Sequence, residues 1–181
     1  MNDTLTLDRR RFLGVSAATF TLGFAFAGPA REAQAAGTPA AVNSWLAVGS
    51  DNSVTLTIGA SDMGQGSFSG LAQVMAEDLM VDYRRVALVQ GGPTLAVPAP
   101  VGSAIVTAGS SVTRSNYWRL RDAGAIARET LVQAAMNRLG DATRGNYAVD
   151  DGVILHTPTG RTLTYGQVAA DAALLTPPAA A

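Results

Sequence analysis

The sequence has no cysteine, no lysine and one histidine. Without cysteine this chain can form no disulfide, ligate no iron–sulfur cluster and offer no thiol nucleophile. A single histidine excludes a multi-histidine metal centre. Without lysine there is no Gly-x4-Gly-Lys phosphate loop, whose lysine reaches the phosphates. Charge is scarce too. Thirteen arginines face 14 acidic residues, only 15% of residues are charged, and the formal net charge is −1. That leaves no electrostatic footprint for nucleic acid, and no such partner is expected. What remains is 48% apolar with 19 glycines in 181 residues. This is enough for a core in one or two small domains, and it suggests a chain that cradles a ligand or a partner.

The first 35 residues read as an address. Asp8-Arg9-Arg10-Arg11-Phe12-Leu13 opens the twin-arginine form of an export signal. Phe12 to Ala27 carries no charge but is diluted by Gly14, Ser16, Thr19, Thr21 and Gly23. It is shorter than the roughly 20 apolar residues of a bilayer span. Ala33-Gln34-Ala35 supplies a small-x-small cleavage pattern, so cleavage is expected after Ala35. An amphipathic anchor or a retained N-terminal helix is the alternative. The twin-arginine route carries folded proteins, which fits a cofactor inserted before export to the periplasm.

Behind the leader we expect a tether at 36–42, a domain at 43–175 and a Pro/Ala-rich end at 176–181. Ser44–Val48 and Ser53–Ile58 read as strands around a Ser50-Asp51-Asn52 turn, the second alternating Val54, Leu56 and Ile58 with polar residues. Phe68, Leu71, Met75 and Leu79 step along one face of a helix over 67–80. Val86–Val89 is a third strand. Residues 91–111 form a Gly/Pro/Ser/Thr-rich connection, expected to be mobile without a partner and long enough to be functional. Leu120, Gly124, Ala127, Leu131, Ala135 and Leu139 line one side of a long helix over 112–139. Tyr147–Val149 and Val153–Leu155 flank an Asp-Gly hairpin signal, and a last helix runs from Thr164 or Tyr165 to Leu175. The expected fold class is α+β, a mixed sheet of short strands and hairpins packed by one long and two shorter helices.

No stand-alone catalytic set is visible. His156 sits on a strand without a cysteine partner and reads as a half-buried structural histidine. Glu77 and Asp78 are adjacent on a helix and point to different faces, as solvated helix charges do. Asp150 and Asp151 are turn formers. Gly66-Ser67-Phe68-Ser69-Gly70 places Phe68 where a nucleophile elbow needs its serine. Two loops remain. Met63-Gly64-Gln65-Gly66 joins a strand to a helix start, and Thr107-Ala108-Gly109-Ser110-Ser111-Val112-Thr113 leads into the long helix. Glycine permits close backbone approach, and helix N-termini attract anions. Ser110, Ser111 and Thr113 add hydroxyls that can also cap the helix. Two such helix starts suit one phosphate-bearing cofactor, and a capped helix with a glycine turn explains each loop equally well.

The order of these segments resembles the molybdenum hydroxylase family of xanthine dehydrogenases and aldehyde oxidoreductases. A strand, Ala60-Ser61-Asp62-Met63-Gly64-Gln65-Gly66, a helix, Val86–Val89, a Pro-rich loop, Thr107–Thr113 and a long helix follow one another. With Asn43-Ser44-Trp45-Leu46 behind a twin-arginine leader, the chain is similar to the isoquinoline 1-oxidoreductase beta subunit branch and the periplasmic aldehyde dehydrogenases. The resemblance covers about 42–175. It implies a molybdopterin-cofactor-binding fold in which Gly64, Gln65 and Gly66 contact the cofactor, as do Thr107, Gly109, Ser110 and Ser111. The cofactor would be molybdopterin, in its plain or cytosine dinucleotide form, with no iron–sulfur cluster on this chain. The implied reaction is hydroxylation of an aldehyde or of the carbon beside a ring nitrogen. Electrons would leave through a small 2Fe–2S subunit and then a cytochrome c subunit. Any membrane association would be made through a partner.

The family's catalytic glutamate lies far downstream, and neither Glu77 nor Glu129 is a substitute. The chain is therefore expected to be the N-terminal part of a cofactor subunit, inactive alone and partnered by the subunit's remainder. A split gene, a frameshifted remnant, a truncated copy and a non-catalytic anion-binding module all remain open.

Overall fold

The computed structural model describes residues 19–23, 44–90 and 107–178. The expected tether, residues 91–106 of the long connection, and most of the leader lie outside the described residues.

Among the described residues the chain builds two sheets and three α-helices. Strands β1 (Thr19–Gly23), β2 (Ser44–Gly49), β3 (Val54–Ile58) and β4 (Val86–Gln90) form one sheet in that order. β1/β2 and β2/β3 are antiparallel, and β3/β4 is parallel from Val54↔Val86 to Ile58↔Gln90. A parallel pair needs a crossover, and helix α1 (Ser67–Leu79) supplies it. Long helix α2 (Ser111–Leu139) packs on α1. Strands β5 (Tyr147–Asp150), β6 (Val153–His156) and β7 (Arg161–Thr164) make a separate antiparallel meander, and α3 (Tyr165–Ala172) follows at once.

The sequence pattern explains these elements. Phe68, Leu71, Met75 and Leu79 of α1 are all buried, as are Leu120, Ala127, Leu131 and Ala135 of α2. Fully burying one such large side chain is worth about 1.5–3 kcal/mol. Between the two helices stands Gly124, where a Cβ would lie 2.5 Å from the Met75 carbonyl oxygen. Only glycine admits that approach without a backbone shift. The β5–β6 turn is Asp151-Gly152, both at positive φ (45° and 75°), as a two-residue type I′ hairpin requires.

The fold class is as expected from sequence, with differences in detail. The strands divide between two sheets instead of one. β1 and β7 were not anticipated, and α3 ends at Ala172, short of Leu175. His156 is more buried than expected, at 6% exposure. Asp78 is no free solvated charge, because the Arg121 guanidinium of α2 donates to it at 2.7 Å and Arg128 donates to its carbonyl.

Candidate functional site

The two loops singled out by sequence meet at the N-terminal ends of α1 and α2. The Thr107 hydroxyl accepts a hydrogen bond from the Ser61 N–H at 2.9 Å, tying one loop to the other. Together they line a cleft of about 490 Å³. That volume falls in the range of small-molecule sites.

The first loop is wired from within. The Asp62 carboxylate accepts from the Gly64 N–H at 3.0 Å. Gln65 Oε1 accepts from the Met63 N–H at 2.6 Å, while its Nε2 donates to the Ser61 carbonyl and the Ser67 hydroxyl. Gly64 (φ 85°) and Gly66 (φ 75°) carry the chain through left-handed conformations that favour glycine. Gly66 then stands at the N-cap of α1 and has no side chain with which to cap.

The second loop reaches the same result differently. Gly109 (φ 59°) and Ser110 (φ 56°) are successive left-handed residues immediately before α2. A capping serine normally sits in the extended region, with its oxygen over the first-turn N–H groups. Ser110 does not, and it makes no cap hydrogen bond. The expectation that hydroxyls cap this helix is therefore corrected at Ser110. First-turn N–H groups have no acceptor within their own helix, and both helix starts face the cleft without a side-chain cap. The dipole ends of a 13-residue and a 29-residue helix thus converge there.

Of the expected site residues, Gln65, Gly66, Thr107, Gly109, Ser110 and Ser111 line the cleft. Gly64 does not, although it belongs to the same turn. Sequence reasoning missed Gly70, which also lines it. The signal was present, since Gly66 and Gly70 are four apart and share a helix face. The spacing that fails as a nucleophile elbow works as a smooth helix wall. A Cβ at Gly66, Gly70 or Gly109 would meet nothing within 4 Å, so each opens onto free space.

Among the described residues no carboxylate or imidazole lines the cleft, and no group of three or more His, Cys, Asp or Glu is placed to hold a metal ion. One turn beyond Val112, the buried Asn116 donates to the Val112 carbonyl, and its Oδ1 has no partner among the described residues. The titratable network lies elsewhere. The Asn146 amide, the His156 ring and the Thr143 N–H hold the Asp141 carboxyl well below its usual range. His156 contacts Asp141 at 2.9 Å and Thr159 at 2.7 Å. Glu129 is lowered chiefly by Arg144, then by Arg128, and takes no part in the cleft.

Comparison with known proteins shows the family and the fold. The sequence model of the molybdopterin cofactor-binding domain family matches residues 2–181. The beta subunit of isoquinoline 1-oxidoreductase from Brevundimonas diminuta is 34% identical over 177 residues, covering 93% of this chain and 22% of that subunit. The chain therefore spans about a fifth of this curated relative. Both matches take in Thr19–Gly23, because 93% coverage leaves about 13 residues of 181 unmatched, fewer than the 18 that precede Thr19. The Cu,Mo-CO dehydrogenase structure superposes with a TM-score of 0.54 at 18% identity, over 68% of this chain and 15% of that one. Reconstituted CO dehydrogenase from Oligotropha carboxidovorans gives 0.54 at 19%, with the same coverage. These two show the fold. With the family match running nearly end to end, the chain belongs to the molybdopterin cofactor-binding domain family.

Proposed function

We propose that this chain is the cofactor-holding, N-terminal portion of an exported molybdenum hydroxylase that oxidises an aldehyde or an N-heterocycle. The observation that carries the reading is the pair of uncapped, left-handed helix starts sharing one cleft. The residues fit the group. Gly66, Gly70 and Gly109 leave backbone open to a flat ligand, and the first-turn N–H groups of α1 and α2 suit its phosphate. The described lining, which has no His, Cys, Asp or Glu, suits a metal carried by the cofactor itself.

When bound, the cofactor supplies the two-electron hydroxylation of an electron-poor carbon. This chain's share is binding and orientation. The Ser61–Thr107 hydrogen bond sets the distance between the two loops, and the Gln65 amide keeps the first loop in its turned shape. Among the described residues no side chain lining the cleft is a carboxylate or imidazole, and the proposal assigns the catalytic glutamate to the remainder of the subunit. Electrons pass to a 2Fe–2S subunit, since this chain has no cysteine for a cluster. The relative's designation as a subunit supports an assembly of this kind. The arginine-led leader supports export by the twin-arginine route to the periplasm.

The test is to capture the full chain from its native periplasm and to quantify molybdenum and iron in what accompanies it. Recovery with a larger molybdopterin subunit, an iron–sulfur protein and stoichiometric metal is the expected result. Recovery alone and metal-free would reduce the chain to an inactive remnant or a module for another anion.

A further inference from the structure

The leader's apolar stretch is also a strand. Thr19-Phe20-Thr21-Leu22 alternates β-branched polar with apolar residues, a period-2 pattern that an export signal does not need. The backbone uses that pattern. Thr19–Gly23 pairs with β2 along its whole length, Thr19↔Gly49, Phe20↔Val48, Thr21↔Ala47 and Leu22↔Leu46, before the register shifts at Gly23↔Ser44. The register sets the two large apolar residues of β1 opposite Val48 and Leu46, which are 0% and 1% exposed. β1 also lies against α3.

Removing residues 1–35 would turn β2 from an interior strand into an edge with an unpaired row of backbone groups, a liability that folded sheets avoid. The matches with the family model and with the curated relative both run through these residues, so the strand falls inside the family's shared sequence and not ahead of it.

We infer that Thr19–Gly23 has two functions, first as the apolar core of the export leader and then as the permanent edge strand of the cofactor-binding fold. The leader is accordingly retained and not released after Ala35. This assignment is independent of what the cleft binds.

The chain has no cysteine, so an engineered pair reports a single contact. Directly opposed residues of an antiparallel pair lie about 4.5–5.5 Å apart at Cα, within disulfide range. The full chain carrying Thr21→Cys and Ala47→Cys is expressed in its own host beside the unaltered chain, and intact masses are read from cytoplasmic and periplasmic fractions before and after mild oxidation. The expected unaltered chain still contains residues 19–23. The double variant is expected to lose two hydrogens on oxidation, while the register-shifted control Phe20→Cys with Ala47→Cys stays reduced because its cysteines fall on opposite faces. A periplasmic chain beginning at residue 36 overturns the inference. So does a full-length double variant that keeps both thiols, or a control that closes equally well. A cross-linked chain found only in the cytoplasm upholds the strand and counts against export alone.

Discussion

The three described α-helices begin in two different ways. α3 opens with a complete capping box, in which the Gln167 N–H donates to the Thr164 hydroxyl and the Thr164 N–H donates to Gln167 Oε1. α1 and α2 open from left-handed residues with no side-chain cap at all. The short helix, at eight residues, has its first donors satisfied; the starts of the two long ones line a shared cleft. The same division holds more widely. Around the meander, Asp141, Asn146, His156 and Thr159 saturate one another, and Arg144 closes on Glu129. A side-chain cap closes the start of α3, and none is made at the N-cap residues of α1 and α2, which border the cleft.

Three substitutions sharpen that contrast. The largest expected effect belongs to the satisfied body. Gly124→Ala forces a Cβ against the Met75 carbonyl at the α1–α2 crossing, and overpacking of this kind costs about 1–3 kcal/mol. Urea denaturation should show the midpoint falling, and an unchanged midpoint would mean that the helices separate freely. Next comes the capped helix. Thr164→Ala removes the box and should cost about 1 kcal/mol, read in the same denaturation curve, with no change in cofactor content of the assembled enzyme. The smallest effect on folding is expected at the cleft. Gln65→Ala breaks only exposed hydrogen bonds within its own loop and should move stability by about 0.5 kcal/mol or less. In the assembled complex it should lower molybdenum occupancy. A large loss of folding stability instead would place Gln65 with the structural set and erase the contrast.

Much of this was legible in sequence because it is written in short periods. The α1 and α2 faces follow the helical repeat, and Asp151-Gly152 announces its own turn type. β7 escaped because Arg161-Thr162-Leu163-Thr164 has one apolar residue in four, too few for alternation to register. β1 escaped because an uncharged run behind paired arginines reads as an address before it reads as a strand. At the cleft, glycine and hydroxyl content marked each loop separately, yet either was explained as well by an ordinary capped helix. What joins them is a hydrogen bond between residues 46 apart, which no local pattern encodes. The resemblance to a family paired the loops; geometry showed that neither helix start is capped, and that a third glycine, Gly70, belongs to the wall.

The Ser61–Thr107 bond also has a consequence for quality control. It joins the two loops that run into the helices whose facing sides make the core, so a ligand held between the loops bears on both helix starts. By mass action, a ligand present at a hundred times its dissociation constant adds about 2.7 kcal/mol to the stability of whatever unfolds with its site. A cell that sorts proteins by how tightly they are folded, whether through proteolysis or an export gate, would then be sorting loaded chains from empty ones without ever sensing the cofactor.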